Sequence, residues 1–193
     1  MQLRVRSITY LAEAVNSYEF VDPRGRDLPR FEAGAHIELQ VDGLWRQYSL
    51  WNDPAERRRY CIAVLRESES RGGSQYLHER TRVGDLVEVS MPRNNFRVDP
   101  VAARHLLIAG GIGIAPIMSM IAELRRHRAE SRCITAHAHQ RKPLSAARLS
   151  RSLLKDCCIF ITMTAIPRTA STSRLRCANL SSEHTFIIAV LRN

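Results

Sequence analysis

Glycine is absent from the last eighty residues of this chain, and all nine glycines lie at or before Gly113. At a usual frequency of roughly 7%, more than five would fall in such a stretch, so the C-terminal part is compositionally a different object. Cysteine is sparse and badly spaced for chemistry. The five cysteines include no C-x-x-C pair, and Cys157 and Cys158 are adjacent, which excludes zinc or iron–sulfur ligand spacing. They read as free thiols in a reducing compartment. No apolar run approaches the ~18–20 residues of a membrane-spanning helix, so no membrane partner is expected. The N-terminus, Met1-Gln2-Leu3-Arg4-Val5-Arg6, alternates where a secretion signal would be continuously apolar, which predicts a cytoplasmic protein. The net charge of +10 suggests nucleic acid until it is divided. Residues 131–193 hold ten Lys/Arg against Asp156 and Glu183, a net of +8, whereas residues 1–130 hold nineteen against seventeen. Aromatics make up 6% of the chain and do not interleave with the basic residues, so a nucleic-acid partner is not expected.

What is present begins with short alternating segments. Residues 3–10, 17–21, 35–41, 44–50, 60–66 and 86–90 read as strands, separated by turn signals such as Asp22-Pro23, Asp42-Gly43 and Asn52-Asp53-Pro54. Six strands at this spacing predict an antiparallel barrel over residues 1–100. Asp42-Gly43 is a two-residue hairpin signal. After Pro100 the pattern changes. His105-Leu106-Leu107-Ile108-Ala109 is an unbroken apolar run, as in a buried parallel strand, followed by Gly110-Gly111-Ile112-Gly113 and a helical pattern over 117–124. Strand, glycine turn and helix open a nucleotide-binding βαβ unit, here assigned to a second domain over 101–193. Glu130 stands at the distance of a ribose-binding acid but precedes a second strand instead of ending one.

Two stretches carry the chemistry. Arg46-Gln47-Tyr48-Ser49-Leu50 offers a guanidinium fork for phosphate, an aromatic face with a polar tip, and a short hydroxyl. Ser70-Arg71-Gly72-Gly73-Ser74 offers consecutive backbone N–H groups with little side-chain obstruction, ahead of a short helix over 75–80. A planar cofactor bearing a phosphate uses all of these groups together. His36, His78 and His105 lie in strand or helix contexts and read as packing or surface residues.

These segments, with Pro92-Arg93-Asn94-Asn95-Phe96 and Ala109-Gly110-Gly111-Ile112-Gly113-Ile114-Ala115-Pro116, resemble the ferredoxin reductase superfamily. The matching branch is the FMN-containing reductases of Rieske oxygenases, of the phthalate dioxygenase reductase and vanillate demethylase reductase type. The resemblance covers about residues 1–128. It implies a six-stranded flavin barrel followed by an incomplete nicotinamide-binding Rossmann-like domain, of which only 101–130 resembles the family. It implies an electron-transfer reductase that takes a hydride from NAD(P)H onto FMN and passes electrons toward a Rieske-type oxygenase partner. By the same resemblance Arg46 meets the flavin phosphate, Tyr48 the isoalloxazine face and Ser49 the neighbourhood of N5, Tyr48 and Ser49 being the catalytic candidates. Gly72, Gly73 and Ser74 close on the phosphate, with the strand end carrying Ala63, Val64 and Arg66 alongside. Gly111, Gly113, Ala115 and Pro116 hold the dinucleotide. The chain has Ala115 where the family often has Thr.

Beyond residue 128 the resemblance stops. A His-Tyr-Cys strand motif, a Cys-Gly-Pro motif and a C-x4-C-x2-C iron–sulfur domain are missing, so no 2Fe–2S cluster is expected in this chain. Back-translation from the third base of Cys133 permits His/Tyr, Tyr, Cys, Ala, Arg, Ser. The same shift from His184 permits a run ending Tyr, Cys, Gly, Pro. Both missing motifs come from one shift, which points to translation out of frame from about residue 129–131, with a divergent in-frame domain as the alternative. On that hypothesis residues 131–193 are expected to pack loosely, with proteolysis beginning between Arg125 and Arg151 and slow hydride transfer. A non-catalytic flavin-binding fragment is the alternative function.

Overall fold

The structure, a computed structural model, describes residues 1–67, 72–99, 102, 104–138, 158–163 and 184–190, and from residue 134 onward the backbone alone. Its first half is antiparallel. Strands β1 (Gln2–Ala12), β2 (Val15–Val21), β5 (Tyr60–Leu65) and β6 (Leu86–Glu88) form one sheet in the order β5-β2-β1-β6. Strands β3 (His36–Val41) and β4 (Leu44–Ser49) form a two-stranded sheet. Single bridges join the two: Leu39 with Val89 beyond β6, and Leu50 beyond β4 with Ile62 of β5. The six expected strands are therefore present, but as two sheets stitched at two seams. Their inward positions are filled by Leu3, Val5, Tyr18, Phe20, Ile37, Leu39, Tyr60 and Ile62, all buried in one cluster. The alternation that marked these strands in sequence is the alternation between this core and solvent.

The β3–β4 hairpin turns on Asp42 and Gly43 with φ of 51° and 74°. Two consecutive left-handed residues form the tight turn whose twist matches paired strands, and Asp-Gly tolerates it. The register that follows sets Ile37 opposite Tyr48 and His36 opposite Ser49. Helix α1 (Gly73–Glu79) follows the loop after β5, one residue earlier at its end and two at its start than the sequence pattern.

The second half is a parallel sheet in the order β10-β7-β8-β9, built from β7 (Arg104–Gly110), β8 (Glu130–Ala138), β9 (Cys158–Met163) and β10 (His184–Val190). A single 3-10 turn over Gly111–Gly113 leads from β7 into helix α2 (Ile114–Arg126). On β7, His105, Leu107 and Ala109 are buried while Leu106 and Ile108 are half-buried, so the strand alternates where continuous burial was expected. Leu107 and Ala109 pack on Ile117, Met120, Ile121 and Leu124 of α2. Glu130 starts β8 and pairs with Arg104 through its carboxylate at 3.1 Å.

Of residues 131–193, expected to pack loosely, the described segments are strands of this sheet. The apolar runs around Ile159 and Ile187 align in register beside β8 and β7. The expected cleavage sites between residues 139 and 151 lie outside the described residues.

Candidate functional site

One cavity of about 380 Å³ opens between the two halves. It is lined by Arg46, Gln47, Tyr48 and Ser49 from β4, Ala63 to Leu65 from β5, and Gly73 and Ser74 from α1. Gly34, His36, Glu67, Asn95, Phe96, Ile112 and Ala115 complete the wall. The volume lies in the range of small-molecule sites, roughly 300–1,000 Å³.

The hairpin places the first set. Strand side chains alternate, so Arg46 and Tyr48 share one side of β4 while Gln47 and Ser49 share the other. Tyr48 packs against the core below it and is partly buried. Burial pushes its phenol up to about 12, with the Arg46 guanidinium working the other way. The ring therefore carries its proton at neutral pH. Ser49 stands across from His36, whose imidazole is held below its usual value by burial, against the opposing pull of Glu38.

The second set is placed by glycine. A Cβ on Gly73 would stand 2.7 Å from Cγ and 3.2 Å from Nε of Arg46, so only glycine lets the arginine lie along the start of α1. This contact is where the two sequence stretches become one site. Gly72, at φ +96°, provides the left-handed entry to the helix. The Ser74 hydroxyl accepts from the Glu67 amide at 3.3 Å. Farther along α1, His78 bonds the Val64 carbonyl through Nε2 at 3.0 Å and meets Asn16 through Nδ1 at 3.3 Å. That arrangement ties the helix to the strand end on the cavity wall, a packing role as expected for this histidine.

The cavity thus gathers Arg46, Tyr48, Ser49, Ala63, Val64, Gly73, Ser74 and Ala115 of the expected site residues. Arg66 lies outside it, exposed and paired with Glu79. Gly72, Gly111, Gly113 and Pro116 are not on its wall, although Ile112 between the two glycines is. Gly34, Gln47, Leu65, Glu67, Asn95, Phe96 and Ile112 are wall residues that were not candidates from the sequence, and His36, read there as a packing or surface residue, also stands on the wall. A signal existed for His36: a two-residue turn at Asp42-Gly43 fixes it as the partner of Ser49. Phe96 stood inside a recognised segment without a role. Gly34, between two alanines ahead of a strand, carried only the general mark of a glycine. Cys61, beside the wall, has its thiol pushed up to about 12 by burial and is chemically inert at neutral pH. Among the described residues no cluster of His, Cys, Asp and Glu could hold a metal ion, and no helix is long and apolar enough to cross a membrane.

No protein-family model matches the chain. Individual proteins do. Over 126 residues it is 48% identical to phthalate dioxygenase reductase of Burkholderia cepacia, a match covering 65% of this chain and 39% of that protein. Over 125 residues it is 46% identical to vanillate O-demethylase oxidoreductase of Pseudomonas sp. (strain HR199 / DSM 7063), covering 64% and 39%. The reductase subunit of tert-butanol monooxygenase / tert-amyl alcohol desaturase from Aquincola tertiaricarbonis is 50% identical over 143 residues, covering 72% and 42%. The chain therefore spans about two fifths of the length of these relatives. Among solved structures, phthalate dioxygenase reductase, described as modular for electron transfer from pyridine nucleotides to [2Fe–2S], superposes with a TM-score of 0.84. That superposition covers 96% of this chain and 59% of the other at 35% identity.

Proposed function

Because this chain belongs to the ferredoxin reductase superfamily, in the branch of phthalate dioxygenase reductase and vanillate demethylase reductase, we propose that its antiparallel half is a barrel holding FMN. With the α/β half it makes up the part of an electron-transfer reductase that carries electrons from NAD(P)H to flavin, in the service of a Rieske-type oxygenase. The wall residues fit that group. A cavity of about 380 Å³ has an arginine, a serine hydroxyl and a glycine amide at one end and a half-buried tyrosine beside them. When bound, FMN supplies hydride acceptance from the nicotinamide and one-electron release, chemistry that no side chain here provides.

The chain's own residues bind and orient. The Arg46 fork and the amides of residues 73 and 74 hold the phosphate. Tyr48 would offer its ring face to the flavin, and its protonated phenol remains a donor at neutral pH. Ser49 would supply a hydroxyl to the ring's polar edge. Ala63, Val64, Ile112 and Ala115, apolar members of the wall, would shield the ring from water. The dinucleotide reading rests on the topology of the sheet. β7 lies between β8 and β10, and the chain leaves it through Gly110-Gly111-Ile112-Gly113. A crevice outside the carboxyl ends of strands, where strand order reverses, is the usual nucleotide position in open α/β sheets. Gly111, Gly113, Ala115 and Pro116 take that role.

The observation that carries the proposal is Arg46 lying on Gly73, which joins guanidinium and backbone amides at one end of the cavity. Arg46→Ala is expected to weaken FMN binding by about 1.5–3 kcal/mol, the worth of a charge-assisted hydrogen bond. Titration of the apoprotein with FMN and with FAD measures it. Equal FMN affinity in wild type and variant, or a preference for FAD, overturns the assignment. Reduction of the bound flavin by NADH separates a working reductase from a flavin-binding fragment.

A further inference from the structure

We propose that Ser119 is a positioning residue: its hydroxyl fixes how closely helix α2 stands against the antiparallel half, and thereby sets the wall of the flavin cavity. The inference rests on the flavin reading above. Ser119 is fully buried on α2. Its hydroxyl donates to the Pro116 carbonyl at 2.8 Å and accepts from the Gly34 amide at 3.0 Å. The first bond is common for a helical serine. The second is not local, since it reaches a loop 85 positions away in sequence. A hydroxyl has one proton, and once that proton is given to Pro116 the oxygen faces Gly34 as an acceptor only.

The loop has no slack to replace this bond. The Ala35 amide is bonded to the Glu32 carbonyl at 3.0 Å, and the Ala35 carbonyl accepts from the Leu50 amide at 2.9 Å. The Ala33 carbonyl accepts from the Asn94 side chain at 3.0 Å. The Gly34 amide is the one that reaches the helix. Gly34 is also where three segments converge. At φ +90°, a Cβ there would stand 1.9 Å from the Phe96 carbonyl oxygen and 2.7 Å from Cε of Met120. Gly34 and Phe96 line the cavity from one side of this junction, and Ile112 and Ala115 from the other. Close-packed interiors transmit displacement instead of absorbing it. A helix released from Gly34 therefore moves the wall that faces the flavin ring, while Arg46 and residues 73–74 at the phosphate end stay in place.

The test uses the full chain with Ser119→Ala, and with Ser119→Cys, which restores bulk but is a poor acceptor. Amide exchange is followed by NMR at Gly34 and, as a reference inside the same half, at Leu39. Absorbance and fluorescence of bound FMN are recorded alongside its affinity. In both variants Gly34 is expected to exchange at least about tenfold faster relative to Leu39. The bound-flavin spectrum should shift, with FMN affinity changed by no more than about threefold because the phosphate contacts are untouched. Equal acceleration at Gly34 and Leu39 would reveal a general loss of stability and overturn the proposal. So would a Cys variant that matches wild type, which would make Ser119 a matter of volume. An unchanged flavin spectrum despite fast Gly34 exchange would equally overturn it. Failure of the wild type to bind FMN defeats the flavin reading instead, and with it this proposal, whatever Gly34 does.

Discussion

The two halves of the molecule are closed by different kinds of contact. In the antiparallel half, β1 pairs with β2 and β3 with β4, each through a short turn, and β5 and β6 add to the β1–β2 pair from farther along the chain. In the parallel half no strand pairs with its neighbour through a turn. β7 meets β8 only after α2 has crossed, and β10 returns from the far end of the chain to lie beside β7. Loop closure must then be met before pairing rewards it, so the parallel half depends more on everything else being in place. What supplies that support is the antiparallel half. Ala33, Trp51 and Phe96 belong to the cluster built by α2 and β7, and Arg126 of α2 reaches Asp53 at 3.4 Å. The halves share a core, which predicts one cooperative unit instead of two.

The strongest way to break that comparison is at the junction. Gly34→Ala sets a methyl group 1.9 Å from a backbone oxygen at a left-handed φ. Strain and overpacking together are expected to cost about 3–5 kcal/mol, read as a lowered urea midpoint. A loss below about 1 kcal/mol would show that the halves slide freely.

The second test compares the cores directly. Leu39 and Leu107 are both fully buried, one in each half. Each change to Ala is expected to cost about 3 kcal/mol. Trp45 lies on β4, whereas Trp51 packs on the cluster of α2 and β7, so in a Trp51→Phe background the fluorescence of Trp45 reports the antiparallel half. In a single cooperative unit, Leu107→Ala shifts the tryptophan transition as far as Leu39→Ala does. A tryptophan transition untouched by Leu107→Ala would divide the molecule in two.

The same division explains how much could be read in advance. The antiparallel strands were legible because one face meets the core and one meets water, which writes a period of two into the chain. Asp42-Gly43 marked a two-residue hairpin, and the structure turns there. Arg46, Tyr48, Ser49, Gly73 and Ser74 were legible as members of one cavity wall because they stand together in one strand and one glycine-rich segment, each with a distinctive polar group or an open backbone. Gly34, Asn95, Phe96 and Ile112 were not, because their place on the wall comes from two loops and a helix meeting across the chain, and no local pattern encodes such a meeting. The parallel strands after residue 130 were hardest. Their pairing is a backbone property, and their apolar runs gave no indication of which neighbour they would take. Out-of-frame translation remains a statement about codons, which the DNA around codons 124–133 answers directly.

The smallest expected effect is a titration that distinguishes the cavity rim from the core. Burial raises the phenols of Tyr18, Tyr48 and Tyr60, Tyr48 to about 12. An unfolded chain ionises its tyrosines near 10, so between pH 10 and 12 it loses protons that the native chain keeps. Stability due to these groups is intact below pH 10 and falls as pH rises toward 12. Tyr60 donates to the Pro29 carbonyl inside the core, and Tyr48 lies on the cavity wall. Absorbance at 295 nm should therefore show a late step near pH 12 that Tyr48→Phe removes, while the component from Tyr60 persists to higher pH. If FMN covers the Tyr48 ring as proposed, its binding should delay that step further and leave the Tyr60 component where it was. A Tyr48 step that ignores FMN would place the flavin ring elsewhere in the cavity.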